Sequence, residues 1–150
     1  MHRLLALLTV LAAAAVIVPA GAGATVAGKS KPPVKLTGKV NNHGTKAVKG
    51  TTIEVEQDDY YFEPTFIKAK PGTSVTLELK NEGKTEHNFS ITGMNISQDV
   101  MPDQKATVTV TVPASGHLAF FCRFHQSFGM QGAIFTKAGT TTAKSNPRWA

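Results

Sequence analysis

Cys122 is the only cysteine in the chain, and it lies in the stretch FFCRFHQSFGM, with His125 three residues on and Met130 five beyond that. Three chemistries fit such a trio. A thiolate beside an imidazole base can act as a nucleophile if an oxyanion hole and an orienting group complete the site. A thiolate, an imidazole and a thioether can together hold a metal. Or Cys122 is a small buried hydrophobe, as many free cysteines are. A second imidazole bears on the choice. His87 opens the stretch His87–Ile91, where parity groups it with Phe89 and Ile91 and so turns it toward the core. Two imidazoles, a thiolate and a thioether form a soft donor set. Such a set selects copper over hard cations, and a His₂Cys trio with a weak axial Met is the arrangement of blue-copper sites.

The elements that must position these groups read as strands. Ile53 and Val55 alternate with Glu54 and Glu56; Val75, Leu77 and Leu79 with Thr76, Glu78 and Lys80; Ala106, Val108, Val110 and Val112 with Thr107, Thr109 and Thr111. Shorter strands are predicted at Thr65–Ala69, His87–Ile91, His117–Cys122 and Gln131–Lys137. Pro71-Gly72, Asn81-Glu82-Gly83, Met101-Pro102-Asp103 and the run from Pro113 to Gly116 separate them as turns. No sustained helical stripe follows the N-terminal apolar run. About seven or eight short strands in this span predict an all-β, antiparallel Greek-key β-sandwich. Cys122 shares parity with Leu118 and Phe120, so it too points inward at a strand end. The short loop Arg123 to Gly129 then carries His125 back toward the sandwich, with Met130 at its far end.

At the N-terminus, Arg3 precedes the apolar run Leu4 to Val18, and Ala20-Gly21-Ala22 and Ala22-Gly23-Ala24 are small-x-small cleavage candidates. Residues 1–24 are therefore expected to be an export signal. The run is short of the roughly 20 apolar residues of a spanning helix; uncleaved, it would be an N-terminal membrane anchor. Export into an oxidising compartment makes a lone cysteine notable, and metal ligation is one way to occupy it. Residues 25–50 hold Lys29, Lys31, Lys35, Lys39, Lys46 and Lys49 among Gly, Asn and Pro, and read as a flexible linker, with peripheral association to an anionic surface as a further use. The folded domain is expected over 51–137, and 138–150, with Trp149, as a disordered tail. The 150-residue chain carries a formal charge of +6, yet no aromatic residues interleave with the lysines, so nucleic-acid reading is not expected.

With the residues in view, the sequence resembles the cupredoxins, and within them the small secreted plastocyanin-like members. The resemblance rests on His87-Asn88 and on Cys122-x-x-His125-x-x-x-x-Met130, and it spans roughly Thr51 to Lys137. Tyr61-Phe62-Glu63-Pro64 and the Lys70-Pro71-Gly72 turn are also similar. The resemblance implies one copper ion, cycling between Cu(I) and Cu(II), bound by His87, Cys122 and His125 with Met130 axial. It implies that Asn88 helps to fix the ligand loop, with a backbone amide near the Cys122 sulfur. It also implies an outer histidine, here His125, in an apolar patch touched by partners. Phe124 and Phe128 are candidates for that patch; core packing is the equal alternative.

The function implied is single-electron transfer between exported or membrane-bound redox proteins, by a monomer that is not an enzyme. A copper delivery or sequestration protein on the same fold is the alternative, with Met94 and Met101 adding thioethers; gap-filling in the loop or core is the simpler reading of both methionines. A Cys-His hydrolase lacks an evident orienter for His125, and a metal-free sandwich leaves the four-donor set unexplained. His43 and His117 are expected to face solvent. Asn88-Phe89-Ser90 and Asn95-Ile96-Ser97 match the glycosylation pattern, though Asn88 lies on a packed strand.

Overall fold

A computed structural model describes residues 31–137. These residues form ten strands: β1 (Thr45–Ala47), β2 (Thr52–Asp58), β3 (Tyr61–Glu63), β4 (Phe66–Lys68), β5 (Ser74–Asn81), β6 (His87–Ile91), β7 (Ile96–Val100), β8 (Lys105–Thr111), β9 (His117–Phe121) and β10 (Gln131–Phe135). A single 3-10 turn, Gln126–Phe128, lies between β9 and β10. The strands make a six-stranded sheet, ordered β1-β4-β10-β9-β6-β7, and a four-stranded sheet, ordered β3-β2-β5-β8.

The long alternating stretches become β2, β5 and β8. Their inward residues Ile53, Val55, Val75, Leu77, Leu79, Val108 and Val110 are buried, while the alternating threonines and charges face outward. Phe62 on β3 packs edge-on against Phe89 on β6 and Phe120 on β9, with ring centroids 5.9 and 5.1 Å away. This trio ties the two sheets together. Each such aromatic pair adds about 0.5–1.5 kcal/mol beyond the area it buries.

The sandwich is as expected, but its sheets are mixed rather than antiparallel. β2 pairs with β5 in parallel, and β4 pairs in parallel with both β1 and β10. Alternation determines which face of a strand is buried and carries no information on the direction of its neighbour. Three strands beyond those expected, β1, β3 and β7, are too short or too polar to alternate visibly.

The Lys-rich segment is the larger correction. From Val34 onward the stretch expected to be a linker within 25–50 packs on the domain. Val34 joins Phe66, Ala133 and Phe135 in a second buried cluster, with Leu36 and Val40 against it. Gln131 Nε2 donates to the carbonyls of Thr37 and Lys39 at 2.8 and 2.6 Å. Residues 45–47 then enter the sheet as β1. The apolar residues of this segment are spaced singly, so they form no run in the sequence, yet each finds the outer face of β4 and β10. That cover explains why all five residues of β10 are buried. Lys31, Lys35, Lys39, Lys46 and Lys49 remain exposed. The expected signal at 1–24 and tail at 138–150, with Trp149, lie outside the described residues.

Candidate metal centre

His87 is the first residue of β6, where it pairs with Val100, and it is fully buried. Cys122 follows the last residue of β9 and is also fully buried. The loop after it is held by its own backbone. Cys122 N donates to Met130 O at 3.0 Å, His125 N to Cys122 O at 3.1 Å, and Met130 N to His125 O at 3.2 Å. Gly129 closes the 3-10 turn with φ of 100°, a left-handed conformation that a side chain resists.

These constraints bring three donor atoms together. His87 Nδ1 lies 3.2 Å from His125 Nδ1, which lies 3.5 Å from Cys122 Sγ. One ligand atom from each of the three residues falls within 4.8 Å of the others. The set, two imidazoles and a thiolate, fits one copper ion. Met130, fully buried, sits in the same apolar cluster as Cys122.

The surroundings orient the donors. His87 Nε2 is 3.1 Å from Asp59 Oδ1. A carboxylate only accepts, so the ring proton sits on Nε2 and the Nδ1 lone pair faces His125 and Cys122. Burial lowers the His87 pKa below the ordinary histidine value; a charge on His125 would lower it further, and Asp59 opposes both. Burial likewise lowers His125, against Asp59. Both rings are thereby favoured in the neutral form that metal ligation needs. Burial alone would raise the Asp59 carboxyl, but the Lys84 amide, the Thr85 hydroxyl and His87 together hold it below its usual range.

Asn88 N–H points at Cys122 Sγ, 3.3 Å away. The Asn88 side chain spans β6, β7 and the loop. Its Nδ2 donates to Asp99 Oδ1 at 2.7 Å and Ser97 Oγ at 3.1 Å, and its Oδ1 accepts from Ser90 Oγ at 2.6 Å and Arg123 N at 3.4 Å. This buried, fully engaged amide is inaccessible to glycosylation. Arg123 in turn bonds Asp99 at 2.5 Å and stacks its guanidinium over Phe124, 4.5 Å from the ring centroid.

His125 is half-buried. Phe124 and Phe128 are 42% and 54% exposed, so they belong to the surface and not to the core. Tyr60 completes the aromatic rim, its ring centroid 4.4 Å from that of His125 and 5.3 Å from that of Phe128. Met101 follows Val100, the register partner of His87, and is 55% exposed; it fills no gap, whereas Met94 does pack against the core. His43 is exposed, as expected, and stacks on Tyr61. His117 is instead half-buried, with Nδ1 shielded from solvent, opposite Phe135 in the β9–β10 register.

Three residues were not apparent from the sequence. Asp59 and Tyr60 lie in the turn between β2 and β3, where no periodicity marks them. Asn41 lies in the segment read as linker, yet its Nδ2 donates to Tyr60 O and Phe128 O at 2.8 and 3.0 Å, and its N–H to Gly129 O at 2.9 Å. Its only sequence signal was an asparagine pair in a Lys-rich stretch, which reads as turn chemistry.

Residues 34–135 match the model of the cupredoxin-like domain family. A 40-residue stretch is 48% identical to the copper-resistant cuproprotein CopI of Pseudomonas aeruginosa PAO1, covering 27% of this chain and 22% of that protein. Among solved structures, the dithionite-reduced auracyanin of Roseiflexus castenholzii superposes with a TM-score of 0.51 at 20% identity, covering 58% of this chain and 97% of that one. The metal-binding domain of the Streptococcus pneumoniae D39 Cu(I)-exporting ATPase CopA, solved with Cu(I), superposes with a TM-score of 0.53 at 11% identity, covering 63% and 96%. At these identities the structural likeness shows the fold. Among the described residues, no helix is long and apolar enough to cross a membrane.

Proposed function

The chain belongs to the cupredoxin-like family, and on that premise we propose that it carries single electrons between redox proteins. His87, Cys122 and His125 hold one copper ion, with Met130 as a weaker fourth ligand. The observation that carries this reading is the convergence of donor atoms from His87, His125 and Cys122 in a buried pocket whose outward member, His125, lies beside half-buried Tyr60 and exposed Phe124 and Phe128.

Copper, when bound, supplies the one-electron couple; the chain supplies everything else. The internally hydrogen-bonded loop and the strand β6 hold the donors in place before metal arrives, so little rearrangement accompanies a change of charge. Burial of Cys122, His87 and Met130 excludes water and leaves no open position for a substrate, which supports a carrier over an enzyme. Half-buried His125 offers the short route to the surface. Partners, including membrane-bound ones, dock on Tyr60, Phe124 and Phe128. The apolar N-terminal run supports export, and the exposed lysines of residues 31–49 support contact with an anionic surface, on a segment that from Val34 packs on the domain.

The test is the visible spectrum of the full chain after addition of copper(II). An intense thiolate charge-transfer band is expected, and a colourless protein with a free thiol would sink the reading. The resemblance to CopI favours a second reading, copper delivery or sequestration. A chain that stays colourless but holds copper(I) tightly, and passes it to a chelator-matched acceptor, would favour that reading instead.

A further inference from the structure

Asp59 is built into the centre more firmly than a turn carboxylate needs to be. Its Oδ1 meets His87 Nε2 at 3.1 Å and accepts from the Thr85 hydroxyl at 2.9 Å, while Oδ2 accepts from Lys84 N–H at 3.1 Å. Its side chain is only 25% exposed although it sits in a β2–β3 turn, and the His87 side chain beneath it is fully buried. Gly83 closes over the pair: a Cβ there would stand 2.7 Å from both Asp59 Oδ1 and His87 Nε2. The turn before β6 thus supplies two donors and a side-chain-free surface, all directed at one carboxylate–imidazole contact.

We propose that Asp59 is a positioning residue that orients His87 and biases the copper centre toward its oxidised state. The proposal rests on the copper reading above. An anionic acceptor on Nε2–H raises the electron density at Nδ1, the nitrogen that faces Cys122 and His125. A more basic ligand favours the more highly charged metal ion, so Cu(II) gains over Cu(I) and the reduction potential falls. Outer partners of this kind change metal affinity by about 10–100-fold when lost. If that loss falls on Cu(II), the potential rises by about 60–120 mV, since a tenfold change is about 59 mV for one electron.

The experiment is voltammetry of the copper-loaded full chain, wild type against Asp59→Asn, which keeps an acceptor oxygen and removes the charge. A rise of the stated size with the visible band retained is expected. An unchanged or lowered potential overturns the proposal, even if the variant melts earlier, because a purely structural role would not move the couple. Should Asp59→Asn fail to fold, Asp59→Ser decides: it also removes the charge on the His87 contact with a smaller side chain and should raise the potential likewise, whereas no rise overturns the proposal. A metal-independent readout accompanies both. In the apo chain, the His87 Nε2–H should give a protected nitrogen-bound proton resonance that Asp59→Ala removes; persistence of that resonance also overturns it. A wild-type chain that shows no blue copper site refutes the underlying reading, an outcome distinct from a blue wild type whose variants leave the potential unmoved.

Discussion

At Cys122, a backbone donor and an imidazole approach one sulfur at 3.3 and 3.5 Å. Replacement by serine keeps the volume and removes the thiolate. Cys122→Ser is therefore expected to abolish the visible charge-transfer band of the copper-loaded chain, which absorption spectroscopy would show directly. On the proposed reading, with Met130 as a weak fourth ligand, Met130→Gln should retain copper while shifting the potential, read by voltammetry. The convergence of His87, Cys122 and His125 was legible in the sequence, because these residue types are rare and parity sent His87 and Cys122 inward. Asp59 was not: a carboxylate in a turn ordinarily faces water, and only the fold brings Gly83, Lys84 and Thr85 around it. Tyr61 gives a test away from the centre. Its hydroxyl donates to Asp58 Oδ2 at 2.8 Å, and this bond, then burial, then the Asp58 charge, push its pKa from 10.0 to about 12. The folded chain holds this proton more tightly than the unfolded one. The resulting stabilisation is complete below about pH 10 and is lost as pH rises toward 12. Denaturant melts should show Tyr61→Phe losing less stability than wild type across that interval.

Among the elements, the N-terminal segment and the ligand loop act as one unit. Asn41 clamps the β2–β3 turn to the loop through Tyr60 O and Phe128 O, and the Gln131 side chain ties the end of the same loop to Thr37 and Lys39. Removing the amide in Asn41→Ala leaves carbonyls short of a donor and should cost about 1–2 kcal/mol of stability. It should also quicken copper loss to a chelator, measured by the decay of the visible band. Val34→Ala removes two buried methyl groups and should cost a similar amount, about 1–2 kcal/mol, in denaturant unfolding. A free linker would give no change in either variant. The long strands were legible because alternation over five or more residues is a strong signal, and β6 appeared with its full bounds. The segment from Val34 to Ala47 was hidden for a physical reason. Its burial comes from single apolar residues docking on a finished sheet, and its strand, β1, is three residues long and wholly exposed.

For the molecule as a whole, net charge and one aromatic face set how two copies meet. The chain is formally +6, so like molecules repel at long range, while Phe124 and Phe128 offer a shared apolar contact beside His125. Electron self-exchange, read from NMR line broadening in mixtures of the two oxidation states, should therefore quicken as salt screens the repulsion. The double substitution Phe124→Ser and Phe128→Ser should slow it by about tenfold, the equivalent of roughly 1.4 kcal/mol of lost encounter energy, with the visible spectrum unchanged. Composition shows the charge, and the sequence leaves surface and core as equal readings of the two rings; the fold decides for the surface, beside half-buried His125. The bracing of the ligand loop by Asn41 and by the Thr37 and Lys39 carbonyls also bears on timing. These contacts join chain separated by 87 to 94 residues. The part of the chain made early must wait, undocked, for the part made late. Until β10 has emerged and Asn41 and Gln131 have made these contacts, the loop that follows Cys122 lacks its brace. On the proposed copper reading, metal loading should therefore follow the docking of β10 and not precede it.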